Sequence, residues 1–115
     1  MAYNETLADR VREHLDNLEN IEETPMMGGL TFMWNGKMCV GVLKDDLMCR
    51  IDPQMHDMAV EQTGVRTLDF TKRRTSGFIL VDETALKSDK ELTYWIGLAL
   101  DYNGKAKASK KKTKG

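Results

Sequence analysis

The chain has 115 residues, 41% of them hydrophobic and 30% charged, with two prolines and two cysteines. That suits one domain with one modest core and excludes a disulfide-built scaffold; no apolar run approaches the roughly 20 residues needed to span a bilayer. The net charge of −1 hides a split: residues 105–114 hold six of the 17 basic residues and no acid, so residues 1–104 hold 11 basic against 18 acidic residues, a balance of −7.

Met1-Ala2-Tyr3-Asn4-Glu5 has no basic segment followed by an apolar run, so no signal peptide is expected and the cytoplasm is the expected compartment. Asn4 suits a helix cap, and Leu7, Val11, Leu15 and Leu18 recur every three or four positions behind it. Glu5, Asp9, Arg12, Glu13, Asp16 and Glu19 fall on the other side, as in a helix with one buried face. His14 lies at the boundary of that stripe, with no second ligand at metal spacing. Residues 20–27 lead into a strand region, and Pro25 suits an edge or entry position because it cannot donate a ladder hydrogen bond.

Gly28-Gly29 lacks the spacing of a phosphate loop and precedes no helix, which leaves a bend, a bulge or a close backbone approach. Asn35-Gly36 separates two apolar runs and predicts a two-residue hairpin, since a type I′ turn needs φ > 0 at both central residues. Such a turn sets Met33 opposite Met38, Phe32 opposite Cys39, Thr31 opposite Val40 and Leu30 opposite Gly41. A second two-residue turn at Asp45-Asp46 then sets Val42 opposite Cys49 and Cys39 opposite Asp52. Met33, Met38, Val40, Val42, Leu47, Cys49 and Ile51 thereby share one side, and Leu30, Phe32, Trp34, Leu43 and Met48 the other. A sheet apolar on both sides needs a helix or another subunit over the second one, so a homodimer is an expected arrangement. Cys39 and Cys49 point to opposite sides in this register and are expected to be free thiols.

Asp52-Pro53 is a helix start, with the helix running to about Thr63 and stopping at Gly64. Met55, Met58, Ala59 and Gln62 mark its inner side, and His56 is expected to be exposed. Val65 to Phe70 reads as irregular or extended, and Gly77 to Asp82 as a buried strand. Between them Lys72, Arg73 and Arg74 form the basic cluster of the folded part, suited either to a solvated loop or to contact with phosphate or an acidic partner. Ser88 or Asp89 caps a last helix with an apolar stripe of Leu92, Trp95, Ile96, Ala99 and Leu100, ended by Asn103-Gly104. The lysine-rich residues 105–115 have nothing to bury and are expected to be disordered.

Catalytic chemistry is not evident. Ser76 and Ser88 lack a nucleophile elbow, the two cysteines have no histidine in a defensible pattern, and the acid pairs Glu22-Glu23 and Asp45-Asp46 are adjacent in sequence. Adjacent acids point to opposite sides of a strand or into water at a turn, which tunes neither for acid–base work. No metal, no cofactor and no enzyme activity are expected.

The run Met26-Met27-Gly28-Gly29-Leu30-x-Phe32-Met33-x-Asn35-Gly36-Lys37-Met38 resembles the signature of the TfoX/Sxy N-terminal domain family, regulators of bacterial natural competence. The likeness continues through Gly41-Val42, Asp46-Leu47, Arg50-Ile51, Leu68-Asp69-Phe70-Thr71, Gly77-Phe78, Val81-Asp82 and Trp95-Ile96, and departs at Met27, where the family pattern usually has Phe. The resemblance implies an α+β fold, an antiparallel sheet flanked by helices in the order α-β-β-β-β-α-β-β-α, grouped with secretion-chaperone-like folds. Residues 1–104 then form a single domain and residues 105–115 a tail. Gly28, Gly29, Asn35 and Gly36 would be structural signature positions, and no catalytic residue carries over.

The implied role is transcriptional control of competence genes through a protein partner, a cyclic-AMP receptor-type activator in the transcription machinery. Two other readings stand beside it. The basic tail suits weak nucleic-acid contact without sequence preference, which the −7 balance of the body opposes. A chaperone-like or small-ligand-binding module rests on the likeness of fold alone.

Overall fold

A computed structural model describes residues 3–26 (the side chain of Met26 excepted), 28–68 and 77–105. Lys72, Arg73 and Arg74, the tail beyond Lys105, Met27, and the Asp69-Phe70 part of the extended stretch lie outside the described residues.

The chain is α+β, in the expected order: α1 (Glu5–Leu15), β1 (Ile21–Met26), β2 (Gly29–Trp34), β3 (Lys37–Leu43), β4 (Asp46–Arg50), α2 (His56–Val60), β5 (Val65–Thr67), β6 (Phe78–Val81) and α3 (Asp89–Asn103). The strands form one antiparallel sheet in the order β1-β2-β3-β4-β6-β5. Pro25 lies on β1, an edge strand, where its missing N–H costs no ladder bond.

Local chemistry starts each long helix. The Asn4 side chain accepts from the Leu7 N–H at 3.0 Å. Ser88 accepts from the Glu91 N–H at 3.1 Å while the Glu91 carboxylate accepts from the Ser88 N–H at 3.0 Å, a complete capping box. Leu7, Ala8, Val11 and Leu15 of α1 and Leu92, Trp95, Ile96 and Ala99 of α3 are buried in one core with Leu30, Phe32, Val40, Val42, Leu47, Cys49, Ile79 and Val81 of the sheet. Ala59 of α2 and Val65 of β5 join the same cluster. The three helices therefore share one side of the sheet.

Two register expectations are corrected. The pairing around Asn35-Gly36 is as expected, with Met33 opposite Met38, but the ladder then shifts, so Phe32 meets Val40, Thr31 meets Gly41 and Leu30 meets Val42. Cys39 is the extra residue, a β-bulge. The physical reason is burial. An unbroken ladder would put Val40 and Val42 on one side and Phe32 and Leu30 on the other, whereas the bulge turns all four toward the helices. The second turn falls at Lys44-Asp45 rather than Asp45-Asp46, with Leu43 opposite Asp46, Val42 opposite Leu47 and Val40 opposite Cys49. That turn is tied to the start of α1. The Lys44 carbonyl accepts from the Asn4 N–H at 2.7 Å, and the Asn4 amide donates to Asp45 Oδ1 at 3.2 Å.

The bulge also removes the simple alternation that placed the two cysteines on opposite sides. Both are free and buried, and both belong to the same core cluster.

The helix after Asp52-Pro53 is shorter and turned in phase. Asp52 caps it as expected, accepting from the Gln54 N–H at 2.9 Å, but Pro53–Met55 is a 3₁₀ turn and only His56–Val60 is α-helical. The tighter turn rotates the α-helical residues after it. His56 and Ala59 face inward, whereas Met58 is 59% exposed and Gln62 is exposed. His56 is therefore a core residue, 1% exposed, and not the surface residue expected. Its Nδ1 accepts from the Gly77 N–H at 2.8 Å, so Nε2 bears the proton that Thr67 Oγ1 receives at 2.9 Å. The ring joins the end of β5 to the residue before β6. Val65–Thr67 is a short edge strand, so that part of the extended stretch pairs.

Replacing His56 with Ala leaves the Gly77 N–H without its acceptor and opens a cavity, at an expected cost of about 2–4 kcal/mol in urea unfolding. Met58→Ala on the exposed side should change stability by less than about 0.5 kcal/mol. Equal losses from the two variants would contradict this helix phase.

Candidate functional site

Two of the signature residues, Asn35 and Gly36, form the tip of the β2–β3 hairpin, and Gly28 and Gly29 lie at the other end of β2. Asn35 and Gly36 have φ of 57° and 77°, the left-handed pair that a two-residue hairpin needs. The tip is bonded on two sides. The Asn35 N–H donates to the Asn20 carbonyl at 3.1 Å, the Asn20 amide donates to Asn35 Oδ1 at 3.1 Å, and the Trp34 indole donates to the Glu19 carbonyl at 3.0 Å. On the other side Asn103, 3% exposed at the end of α3, donates to the Trp34 carbonyl at 3.2 Å, and Lys37 Nζ donates to the Asn103 carbonyl at 3.2 Å. The lysine charge also sits where the α3 dipole is negative. Asn103 carried no sequence signal beyond ending a helix.

Gly28 and Gly29 are likewise structural. Gly28 has φ of 77°, and a Cβ on Gly29 would lie 2.3 Å from the Val42 carbonyl oxygen. The glycines bring β1 and β2 past β3; they do not line an anion site.

Three surfaces remain as candidates. The first is the sheet face away from the helices. Met33, Met38, Leu43, Phe78 and Leu80 lie there partly buried, and no helix of the described residues covers them. Met48, on the same face, is 1% exposed and lies along Gly41, where a Cβ would sit 3.1 Å from Met48 Cε. The Arg50 guanidinium stacks 5.4 Å from the centre of the Phe78 ring, and Arg66 reaches over β6 to pair with Asp46 at 2.5 Å. The two-sided apolar sheet expected from the sequence is thus present, with different residues on each side: Leu30 and Phe32 face the helices, Met33 and Met38 the opposite side.

The second surface is a groove of about 450 Å³ between the end of α2, the 3₁₀ turn Glu83–Ala85 and α3. Thr63, Ala85, Lys90, Glu91, Tyr94 and Trp95 line it. Tyr94 is 52% exposed and meets Trp95 edge-on at 4.9 Å between ring centroids. Tyr94 and Met58 are the exposed large hydrophobic residues of the described chain.

The third is the charged outer side of α1 against β1, where Arg12 bridges Glu23 at 2.7 Å and Asp9 at 2.6 Å. The Arg12 hydrogen bond holds the Glu23 carboxyl below its usual range, and the two carboxylates hold the Arg12 guanidinium firmly charged. These groups satisfy one another. His14 lies 4.0 Å from Asp89 at the same helix's inner boundary.

Among the described residues no group of three or more His, Cys, Asp or Glu side chains is placed to hold a metal ion, and no helix is long and apolar enough to cross a membrane. Burial pushes the Cys39 thiol up to about 12, against a lowering pull from Arg50, and raises Cys49 well above an ordinary thiol. Neither thiol is a nucleophile in this setting.

A family model described as TfoX N-terminal domain matches residues 13–102. No curated protein and no solved structure matches the chain.

With Cys39 near 12, only ~10⁻⁴ of it is thiolate at pH 8. A colorimetric disulfide reagent should therefore find neither cysteine over minutes in the native protein and both in denaturant. Rapid modification of the folded chain would show that a thiol reaches solvent.

Proposed function

Because this chain belongs to the TfoX N-terminal domain family, we propose that it is a non-enzymatic regulatory protein that acts in transcriptional control of competence genes by binding a protein of the transcription machinery. The observation that carries this reading is the match over residues 13–102. The groove between α2 and α3 supports it, because it offers what a protein partner uses. An exposed tyrosine stands beside the edge of a buried tryptophan, with a lysine and a glutamate at the rim. The signature residues fit the same reading, since each of them shapes backbone or ties elements together and none is set up for catalysis.

A second reading, nucleic-acid contact through the six lysines of residues 105–114, is favoured by that run of charge and opposed by the −7 balance of residues 1–104. Such contact would be salt-sensitive and indifferent to base sequence.

Affinity capture with the intact chain from its own cytosol separates these readings. The regulatory reading expects recovery of RNA polymerase or a cyclic-AMP receptor-type activator, reduced about tenfold or more by Tyr94→Glu, the loss of one interface anchor. Deleting residues 105–115 should leave that recovery intact. Recovery of neither protein, with nucleic-acid binding that disappears on deleting the tail, would replace the regulatory reading with the second one.

A further inference from the structure

We infer that the outer stripe of α3 is the contact surface for a second copy of this chain, met antiparallel across a two-fold axis. The contact goes beyond the partner proposed above: it shares Tyr94 with that groove and takes in Gly97 and Asp101 outside it. The purified chain alone is enough to test it.

The stripe is Lys90, Tyr94, Gly97 and Asp101, spaced by four, three and four residues, as in the seam between two packed helices. At about 100° per residue, all four fall within about 60° of arc. The opposite side of the helix carries the buried Leu92, Trp95, Ile96 and Ala99, so the stripe points straight away from the core. Lys90 and Asp101 are exposed, and Tyr94 is 52% exposed. Neither Lys90 nor Asp101 has an ion-pair partner among the described residues.

Three of these residues are poor choices for the helix that carries them. Lys90 stands in the first turn of α3, where the helix dipole is positive, and Asp101 in the last turn, where it is negative. Gly97 stands in mid-helix, where only proline is less favourable. Nothing inside the chain asks for a glycine there, since its φ is not left-handed and a Cβ would meet nothing within 4 Å.

A second copy answers all three. A two-fold axis at right angles to α3, midway between Trp95 and Ile96, sets residue 90 of each copy opposite residue 101 of the other, and 94 opposite 97. Each Lys90 then faces the partner's Asp101, and each Tyr94 ring lies on the bare backbone of the partner's Gly97. Both contacts are made twice, as a closed two-fold interface requires. The first turn of one α3 also lies beside the last turn of the other, so the partner's dipole offsets the unfavourable place of each charge. A parallel pairing would set Lys90 on Lys90 and Tyr94 on Tyr94.

Charge favours this surface over others. Residues 1–104 carry a balance of −7, so most ways of bringing two copies together are repulsive, whereas the stripe sums to zero and matches itself end to end. Size sets the strength. The 15 residues of α3 make a helix about 22 Å long and about 10 Å across, roughly 220 Å² flat, against about 800 Å² per partner in a standard interface. The dimer is therefore weak and concentration-dependent.

Sedimentation velocity on the full chain, from roughly 10 to 500 µM, reads this directly. The parent chain should pass from monomer toward dimer within that range. Lys90→Glu and Asp101→Lys, each alone, set like charges at both contacts and should weaken association about tenfold or more. Mixing the two variants restores opposite charges at both contacts and should restore the dimer. Gly97→Gln fills the space of the partner's Tyr94 and should abolish association with no such rescue. At dilutions where every chain is monomeric, all three substitutions should raise the thermal midpoint, because each suits the isolated helix better. A parent chain that stays monomeric throughout, variants that associate as the parent does, a mixture that fails to dimerise, or lost association matched by lost monomer stability would each overturn the proposal.

Discussion

The side of the sheet on which each residue of β2 and β3 lies is decided by one unpaired residue in the ladder between them. Side chains alternate along a strand, so a single extra residue exchanges the two sides for everything beyond it. With Cys39 bulged, Phe32 and Leu30 of β2 share a side with Val40 and Val42 of β3, and α1 and α3 close over all four. Without it, one pair would face away from the helices. Burying a large aliphatic or aromatic side chain is worth about 1.5–3 kcal/mol, so two of them outweigh the one or two ladder bonds that a bulge sacrifices. Met33 and Met38, on the turn side of the bulge, are left on the open face with Leu43.

The hairpin tip is where that choice is held in place. Asn35 is tied to Asn20 before β1, Trp34 to Glu19 and to Asn103, and Lys37 to the last carbonyl of α3. A shift of β2 against β3 by one residue would break several of these bonds at once. The residues most characteristic of the family thus act on geometry. Gly29 serves the same end at the other end of β2, where any side chain would strike the Val42 carbonyl.

What could be read from the sequence was local in origin. Asn4, Ser88 and Asp52-Pro53 announce helix starts because a cap needs only the next three residues, and Asn35-Gly36 announces its turn because φ > 0 is a property of those two positions. What escaped was decided by distant partners. The β3–β4 turn lies one residue earlier than its two aspartates suggest because Asn4, some 40 residues away in the chain (|i−j| = 41 to Asp45), bonds Lys44 and Asp45. Lys44 takes φ of 54° there, a conformation lysine does not favour by itself. His56 has the sequence signature of a surface residue because its acceptor role is set by Gly77, 21 residues on, and because a 3₁₀ turn alters the phase of its helix. The open face is legible as a property of the sheet, yet its membership depends on the bulge, which no local signal marks.

Placing all three helices on one side leaves the protein with an apolar surface to manage, and the arginines show how. The Arg50 guanidinium lies over Phe78, and the Arg66 side chain crosses the sheet toward Asp46 past Leu80. Each lays its methylene stem along apolar surface while the charged head stays at the boundary with water. Met48 lies flat along Gly41 in the same way. A face needed only as a solvent boundary would carry polar residues at alternate positions, as antiparallel sheets with one wet side do. A face permanently sealed would need no charge at all. Half-covered methionine, leucine and phenylalanine crossed by one ion-paired and one ring-stacked arginine fit neither extreme, and the arginines take the place of alternate polar residues in separating the apolar side chains from water.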